Sequence, residues 1–338
     1  MRASVIIRSK DEADRLRLTL ASLASQTEKP EVVVVNDGSS DHTDKVIDEA
    51  ANEMDLVAIH HAKPAGRSAA ANAGAAKAKG EILLFLDGDT MAAPDLVAQH
   101  LEKHRQFPNL VVRGETWHLR CTRPFLNPET GSPRPGEEAK VAHLSENERV
   151  RSIVTREQIR NDFPAIDRRG QPGIYQGFGP RKLYEIEMET LVNYPSCTVL
   201  WAAASGSNQS MSRAAFLESG GFHPEITINE HRELALRLCQ NGLRMAPTAG
   251  RSYHMLHRAG WRDPLQDTEW ENIFYNAHPI AEVALLVFFW GSLGDPLPFP
   301  AEACIRSLPE LEAAAERYRG IIGLKSVRDA HLKATVGA

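Results

Sequence analysis

The chain has 338 residues, 42% hydrophobic and 25% charged, a composition that supports a full globular core. A net charge of −5 and a pI near 6.2 leave no basic footprint, which argues against nucleic acid or an anionic membrane as an electrostatic partner. Four widely spaced cysteines, no CxxC pair and no secretory leader read as reduced thiols in the cytoplasm, not as disulfides, metal ligands or nucleophiles.

In chain order, residues 4–7 are a short apolar strand, followed by a polar stretch from Arg8 to Glu12 and a helical pattern through Leu16, Leu20 and Leu23. A second strand, 32–35, ends at Asn36-Asp37-Gly38-Ser39 and gives way to a helix through Val46, Ile47 and Ala50. A third, 56–59, leads through Gly66-Arg67 into an Ala-rich helix over 68–78. Five apolar residues at 82–86 are too few for a helix and fit a strand buried on both faces, ending in Asp87-Gly88-Asp89. With a glycine between them to let the backbone bend, these two carboxylates can converge on one hard divalent cation, although turn chemistry favours the same tripeptide. The alternation predicts a parallel sheet with right-handed crossovers, which binds ligands at the carboxyl ends of its strands.

Pro94 begins a further helix, with Leu96, Val97 and Leu101 on one face, and 110–112 reads as another strand. From 113 to about 193 the periodicity fails, apart from one helix expected between 145 and 159. So long an irregular segment is expected to act as a lid or acceptor-binding insertion. Order returns at 197–201, followed by Ser205-Gly206-Ser207-Asn208 and a helix from Ser212 to Gly220-Gly221-Phe222. A second helix over 230–240 is closed by Gly242. Beyond 265 the pattern is mainly helical. Its apolar run, 280–293, is interrupted by Glu282 and falls short of a membrane span of ~20 residues. A core helix is the expectation there; the alternative is a peripheral membrane contact that inserts Phe288, Phe289 and Trp290.

Three acids at strand exits (Asp37, Asp87 and Asp89), with Arg67 and the helix entry Gly66 to Gly74, describe a nucleotide site that uses a metal. An aspartate can accept a ring N–H of a pyrimidine, and a cation with an arginine can neutralise a pyrophosphate. No Gly-x-Gly-x-x-Gly follows the first strand and no Walker Gly-Lys-Ser/Thr occurs, so the dinucleotide and P-loop readings lose their main support.

In this order and spacing, Val5 to Glu12, Val34 to Asp41, Gly66 to Gly74 and Phe85 to Asp89 resemble the family 2 glycosyltransferases and their relatives with the nucleotide-sugar-binding α/β fold called GT-A. The resemblance covers roughly 1–115 and 197–258. In the second part it is nearest to the subset that includes chondroitin-polymerizing and polypeptide N-acetylgalactosaminyl transferases. There Trp201 to Arg213 resembles the loop beside the donor sugar, Asn229 to Arg237 the Glu-Asp-x-Asp/Glu-Leu-x-x-Arg helix, and Ser252 to His257 the segment that adds a histidine to the metal.

The resemblance implies a GT-A domain over 1–264, with a nucleotide-binding half (1–115), an insertion (116–193) and an acceptor half (194–264), and then a helical extension (265–338). It implies metal ligation by Asp87, Asp89 and His254, with Mn²⁺ or Mg²⁺ as the cation. Arg8, Glu12, Asp37, Arg67, Asp87, Ser205 and Gly206 would bind the donor, a UDP-sugar, and Glu230 or His231 would act as catalytic base in an inverting transfer. The acceptor could be a saccharide, a small molecule or a peptide. The sequence departs from the pattern at His231, where inverting members carry an acid, and at Arg8, where proline is common. Retaining relatives need no base at that position, so retention stays open. The rival readings are a nucleotidyltransferase acting on sugar phosphates and a nucleotide-sugar-binding protein without catalysis. Glu233 and Arg237, four apart on one helix, read as an ion pair. Trp201 and Trp261 are candidates for stacking on a sugar or for the core.

Overall fold

Alternate residues of the first strands face two different cores. In the computed structural model, which describes residues 1–172, 183–257, 268–294 and 296–337, Ile6, Val33, Leu83 and Phe85 enter one apolar cluster. Val5, Ile7, Val32, Val34, Leu84 and Leu86 enter another. A period of two with apolar side chains at both parities is what a strand covered on both faces requires.

The elements that carry this pattern are β1 (Ala3–Ser9), α1 (Ala13–Ala24), β2 (Glu31–Asn36), α2 (Thr43–Ala51), β3 (Leu56–His60), α3 (Arg67–Lys77), β4 (Ile82–Asp87), β5 (Thr90–Ala92) and α4 (Leu96–Gln106). Strands β3, β2, β1 and β4 lie side by side and parallel, so the exits of β1, β2 and β4 share one edge. Helices α1, α2 and α4 cover one face through Leu16, Leu20, Val46, Ile47, Val97 and Leu101. Helix α3 covers the other, where Gly74 lets it approach so closely that a Cβ there would lie 2.6 Å from Ile6.

The sheet continues through β6 (Leu110–Leu119), β9 (Gln171–Pro172), β10 (Gln209–Ser212) and β11 (Arg244–Met255), while β7 (Phe125–Asn127) and β8 (Ser132–Pro133) pair as a separate hairpin. The order is β3-β2-β1-β4-β10-β6-β11-β5, with β9 added beside β6. Strand β10 runs antiparallel between β4 and β6, and β11 lies parallel to β6. The α/β fold with a mostly parallel sheet flanked by helices is therefore observed.

Two local expectations change. The strand expected at 110–112 runs on to Leu119; its second half is only half-buried, which erased the apolar signal. The helix expected between 145 and 159 is two, α6 (Glu146–Ser152) and α7 (Arg156–Asn161), after a short α5 (Glu138–Ala142). Ile153 is extended, and Ser145 with Glu148 and Thr155 with Gln158 form separate capping boxes. The ordered run at 197–201 ends in a buried 3₁₀ turn, Leu200–Ala203.

The remaining helices are α8 (Phe163–Asp167), α9 (Leu183–Asn193), α10 (Arg213–Glu218), α11 (Glu230–Gln240), α12 (Glu269–Ala277), α13 (Ala281–Gly291), α14 (Leu308–Arg317) and α15 (Leu324–Leu332). Residues from α9 to α15 enter the same apolar cluster as Ile6 and Phe85, so the C-terminal helices share the core of the sheet. This overturns the membrane-contact alternative for 280–293: Phe288, Phe289 and Trp290 are at most 2% exposed and pack inside the protein. Among the described residues no helix is long and apolar enough to cross a membrane. Trp201 is also a core side chain, edge-on to Phe274; Trp261 lies outside the described residues.

Candidate active site

The shared exit edge collects most of the residues singled out in the sequence. Asp37, just past β2, is 7% exposed. Its Oδ1 accepts from Ala65 N (2.8 Å) and faces His61 Nδ1 (2.7 Å), while Oδ2 accepts from Gly66 N (2.9 Å). Burial alone would raise its pKa, yet these donors hold it below the ordinary carboxylate value. Three of about four acceptor positions are thus used, and one remains on Oδ2. The same contacts anchor the loop that carries Arg67, whose side chain is 55% exposed and whose Nη2 lies 3.9 Å from Asp87.

Arg8 connects the two halves of the site. From the end of β1 its Nε donates to Asp87 Oδ1 (3.0 Å), its Nη1 to Glu230 Oε1 (3.1 Å) and its Nη2 to the carbonyl of Gly206 (3.4 Å). The side chain is only 10% exposed. Burial opposes its charge, but Asp87 and Glu230 outweigh that and raise the guanidinium pKa. At Gly206 a Cβ would sit 3.2 Å from Arg8 Nη2 and 3.3 Å from His231 Nδ1, so a side chain there would make these neighbours give by a few tenths of an ångström. Its neighbour Ser205 donates its N–H to Gln209 Oε1, and Ser207 Oγ accepts from the N–H of Asp87.

Glu230, the first residue of α11, is 2% exposed. Burial would raise its pKa, but His231, Arg67 and Arg8 together hold it well below the usual range. His231 Nε2 lies 2.8 Å from Arg232 Nη1, and a guanidinium can only donate, so Nε2 accepts and the imidazole proton sits on Nδ1. That Nδ1 is buried, without a hydrogen-bond partner, and 3.7 Å from Glu230 Oε2. Burial, with the charge of Arg232 adding to it, holds His231 below its ordinary pKa. Arg232 is itself fixed by Glu187 (2.7 Å), which also pairs with Arg113 (2.6 Å), a buried charge network beneath the site.

A second cluster lies at the exit of β4. Asp89 Oδ2 is 3.2 Å from His254 Nε2 and 2.7 Å from His257 Nε2. One ligand atom from each of the three lies within 4.8 Å of the others. A carboxylate and two imidazoles fit a divalent transition cation. Asp87 is not brought into this group, since its carboxylate turns to Arg8. His257 and His118, whose Nδ1 meets His254 Nδ1 at 3.0 Å, were not singled out as ligands or partners. The signal for His257 was its place three residues after His254; His118 was hidden in the stretch where the strand signal fades.

Gly88 has a different reason from the one expected. Its φ is not positive, so no special bend requires glycine. The space is taken instead by Glu12, whose Oε1 would lie 2.3 Å from a Cβ at 88. Burial, then the charges of Asp89 and Asp87, push the Glu12 pKa well above its ordinary value. The Glu233–Arg237 ion pair forms as expected, bidentate at 2.6 and 2.7 Å, with His278 also on Glu233.

Residues 4–169 match the model of glycosyl transferase family 2. Among curated proteins, the uncharacterized glycosyltransferase YfnE of Bacillus subtilis is 37% identical over 119 residues, 35% of this chain and 30% of its own length. A poly-beta-1,6-N-acetyl-D-glucosamine synthase of Staphylococcus aureus is 31% identical over 101 residues, 30% of this chain and 24% of its own length. The chain thus matches less than a third of the length of these relatives. Among solved structures, S. aureus TarS 1–349 in complex with UDP-GlcNAc superposes over 100% of this chain and 92% of its own, with a TM-score of 0.58 at 16% identity, a likeness of fold. Residues 4–169 thus carry a glycosyl transferase family 2 domain, and the chain as a whole shares the fold of the glycosyltransferase-like TarS structure.

Proposed function

We propose that the protein transfers a sugar from a UDP-sugar to an acceptor hydroxyl with inversion, assisted by a divalent cation. The observation that carries the reading is the convergence of Asp89, His254 and His257 at the sheet edge that also presents Asp37, Arg8 and Arg67. TarS, which shares the fold, is described in complex with UDP-GlcNAc, and this supports a uridine donor. The free acceptor position on Asp37 Oδ2 suits the ring N–H of uracil. Arg67, half-exposed, and Arg8 supply positive charge for the diphosphate.

In the transfer, the acceptor oxygen forms a bond to the anomeric carbon, the bond from that carbon to the diphosphate breaks, and its electron pair leaves with UDP. The acceptor proton passes to Glu230 Oε2, the carboxylate oxygen not held by Arg8. His231 positions that carboxylate from its Nδ1 side; its other nitrogen, occupied by Arg232, has no lone pair to offer as a base. Asp89, His254 and His257 would hold Mn²⁺ or a similar ion, which would offset charge on the departing diphosphate.

The test is UDP release from a panel of UDP-sugars with and without Mn²⁺, followed by assignment of the product anomer by NMR. Release that needs Mn²⁺, with an inverted product, is expected. Binding without release would leave a nucleotide-sugar-binding protein, and a retained anomer would remove Glu230 as base.

A further inference from the structure

We propose that His118 is a positioning residue for the cation site, accepting the Nδ1 proton of His254 and so leaving the Nε2 of that ring free to ligate a cation held with Asp89. The inference rests on the reading of Asp89, His254 and His257 as a cation site, and it concerns a residue outside that group. His118 and His254 are register partners on the parallel strands β6 and β11, so their backbones are fixed relative to one another by the strand pairing. Their Nδ1 atoms are 3.0 Å apart and the rings meet edge to face, with centroids 5.1 Å apart and planes at 82°.

At that distance one Nδ1 must donate and the other accept. If His118 donated, the proton of neutral His254 would move to Nε2, the atom 3.2 Å from Asp89 Oδ2, and that nitrogen could not ligate. Without a cation, Nε2 donates to the acceptor-only carboxylate of Asp89; once a cation displaces that proton, the arrangement in which His254 donates from Nδ1 leaves Nε2 free to ligate and the proton of His118 on its own Nε2. A histidine ligand is commonly held in this way by an acceptor on its second nitrogen, and losing such an acceptor costs roughly 10–100-fold in metal affinity. Usually the acceptor is a carboxylate or a carbonyl; here an imidazole from the adjacent strand takes that place.

The experiment is Mn²⁺ titration of the full chain followed by electron paramagnetic resonance, with His118→Phe and His118→Asn beside the wild type. Phe keeps a ring of similar size without an acceptor, whereas Asn keeps a carbonyl oxygen near the place of Nδ1. Weakening of roughly 10–100-fold in the Phe variant, with most of the affinity retained in the Asn variant, is expected. UDP binding without metal and the melting temperature should stay near wild type. Equal Mn²⁺ affinity in wild type and the Phe variant would overturn the inference. Spin-echo modulation of the wild type, which needs no variant to fold, should count two imidazole nitrogens on Mn²⁺. Three would make His118 a ligand and overturn its positioning role. A wild type that binds no Mn²⁺ would remove the cation site itself, a failure separable from that of His118 alone.

Discussion

Arg8 and Glu230 stand 222 residues apart in the chain and meet at 3.1 Å, with Glu230 2% exposed. Removing one partner of a buried pair leaves an uncompensated charge, which costs about 3–5 kcal/mol. Arg8 also has Asp87 and Gly206 as partners, so Arg8→Met should destabilise by an amount in that range. Glu230 is lowered by His231, Arg67 and Arg8 against its burial, so without Arg8 its pKa must rise. The acid limb of the kcat–pH profile should therefore move to higher pH in Arg8→Met and much less in Arg8→Lys. An unmoved limb in a folded Arg8→Met variant would remove Glu230 as the group that titrates.

The two acids of Asp87-Gly88-Asp89 are expected to behave differently although one residue separates them. Asp89 faces His254 and His257, and Asp87 faces Arg8 and Arg67. Asp89→Asn should lose Mn²⁺ affinity by more than the roughly 10–100-fold seen on losing an outer-shell partner. Asp87→Asn should keep Mn²⁺ affinity close to wild type and instead raise KM for the donor by misplacing Arg8. Equal loss of Mn²⁺ in both variants, measured by titration, would show that Asp87 is a ligand after all. With two imidazoles in the set, Mn²⁺ should also be bound more tightly than Mg²⁺.

The close approach of Glu12 to Gly88 makes a further expectation. A Cβ at 88 would lie 2.3 Å from Glu12 Oε1, the far end of a side chain that can swing away. Gly88→Ala should therefore fold, with a cost of about 1–3 kcal/mol for the displaced carboxylate. In Gly88→Ala combined with Glu12→Ala the clash is absent. The two changes should then be non-additive by about 0.5–3 kcal/mol in urea unfolding. Strict additivity would mean that Glu12 does not occupy that space.

The nucleotide half was legible because its strands are buried on both faces: apolar runs such as Val32 to Val35 and Ile82 to Leu86 leave no other assignment, and the acids that follow mark the exit edge. Legibility failed where a strand is half-exposed. The outer half of β6, Glu115-Thr-Trp-His118, carries no alternation, so His118 went unplaced. It failed again where partners are distant in sequence. Nothing near Arg8 announces Glu230, and nothing near Arg232 announces that Glu187 holds it. Composition also could not separate a membrane-facing helix from α13, whose apolar side chains are all used inside.

A polar network away from the site should set the acid stability of the fold. His100 Nδ1 and His104 Nε2 both meet Ser210 Oγ, at 2.8 and 2.9 Å, and His100 Nε2 meets Asn208 Oδ1 at 2.7 Å. Burial lowers both histidines to about 4, whereas the unperturbed side chain titrates near 6.5. Between those values the unfolded chain binds more protons than the folded one, so stability falls as the pH falls from 6.5 and levels off below 4. One such histidine contributes a loss of about 2 kcal/mol between pH 7 and pH 5. His104→Gln keeps a polar group near Ser210 but cannot titrate. Urea unfolding at the two pH values should show the wild type losing about 2 kcal/mol more than this variant. Equal losses would mean that His104 accepts its proton in the folded state as readily as in the unfolded chain.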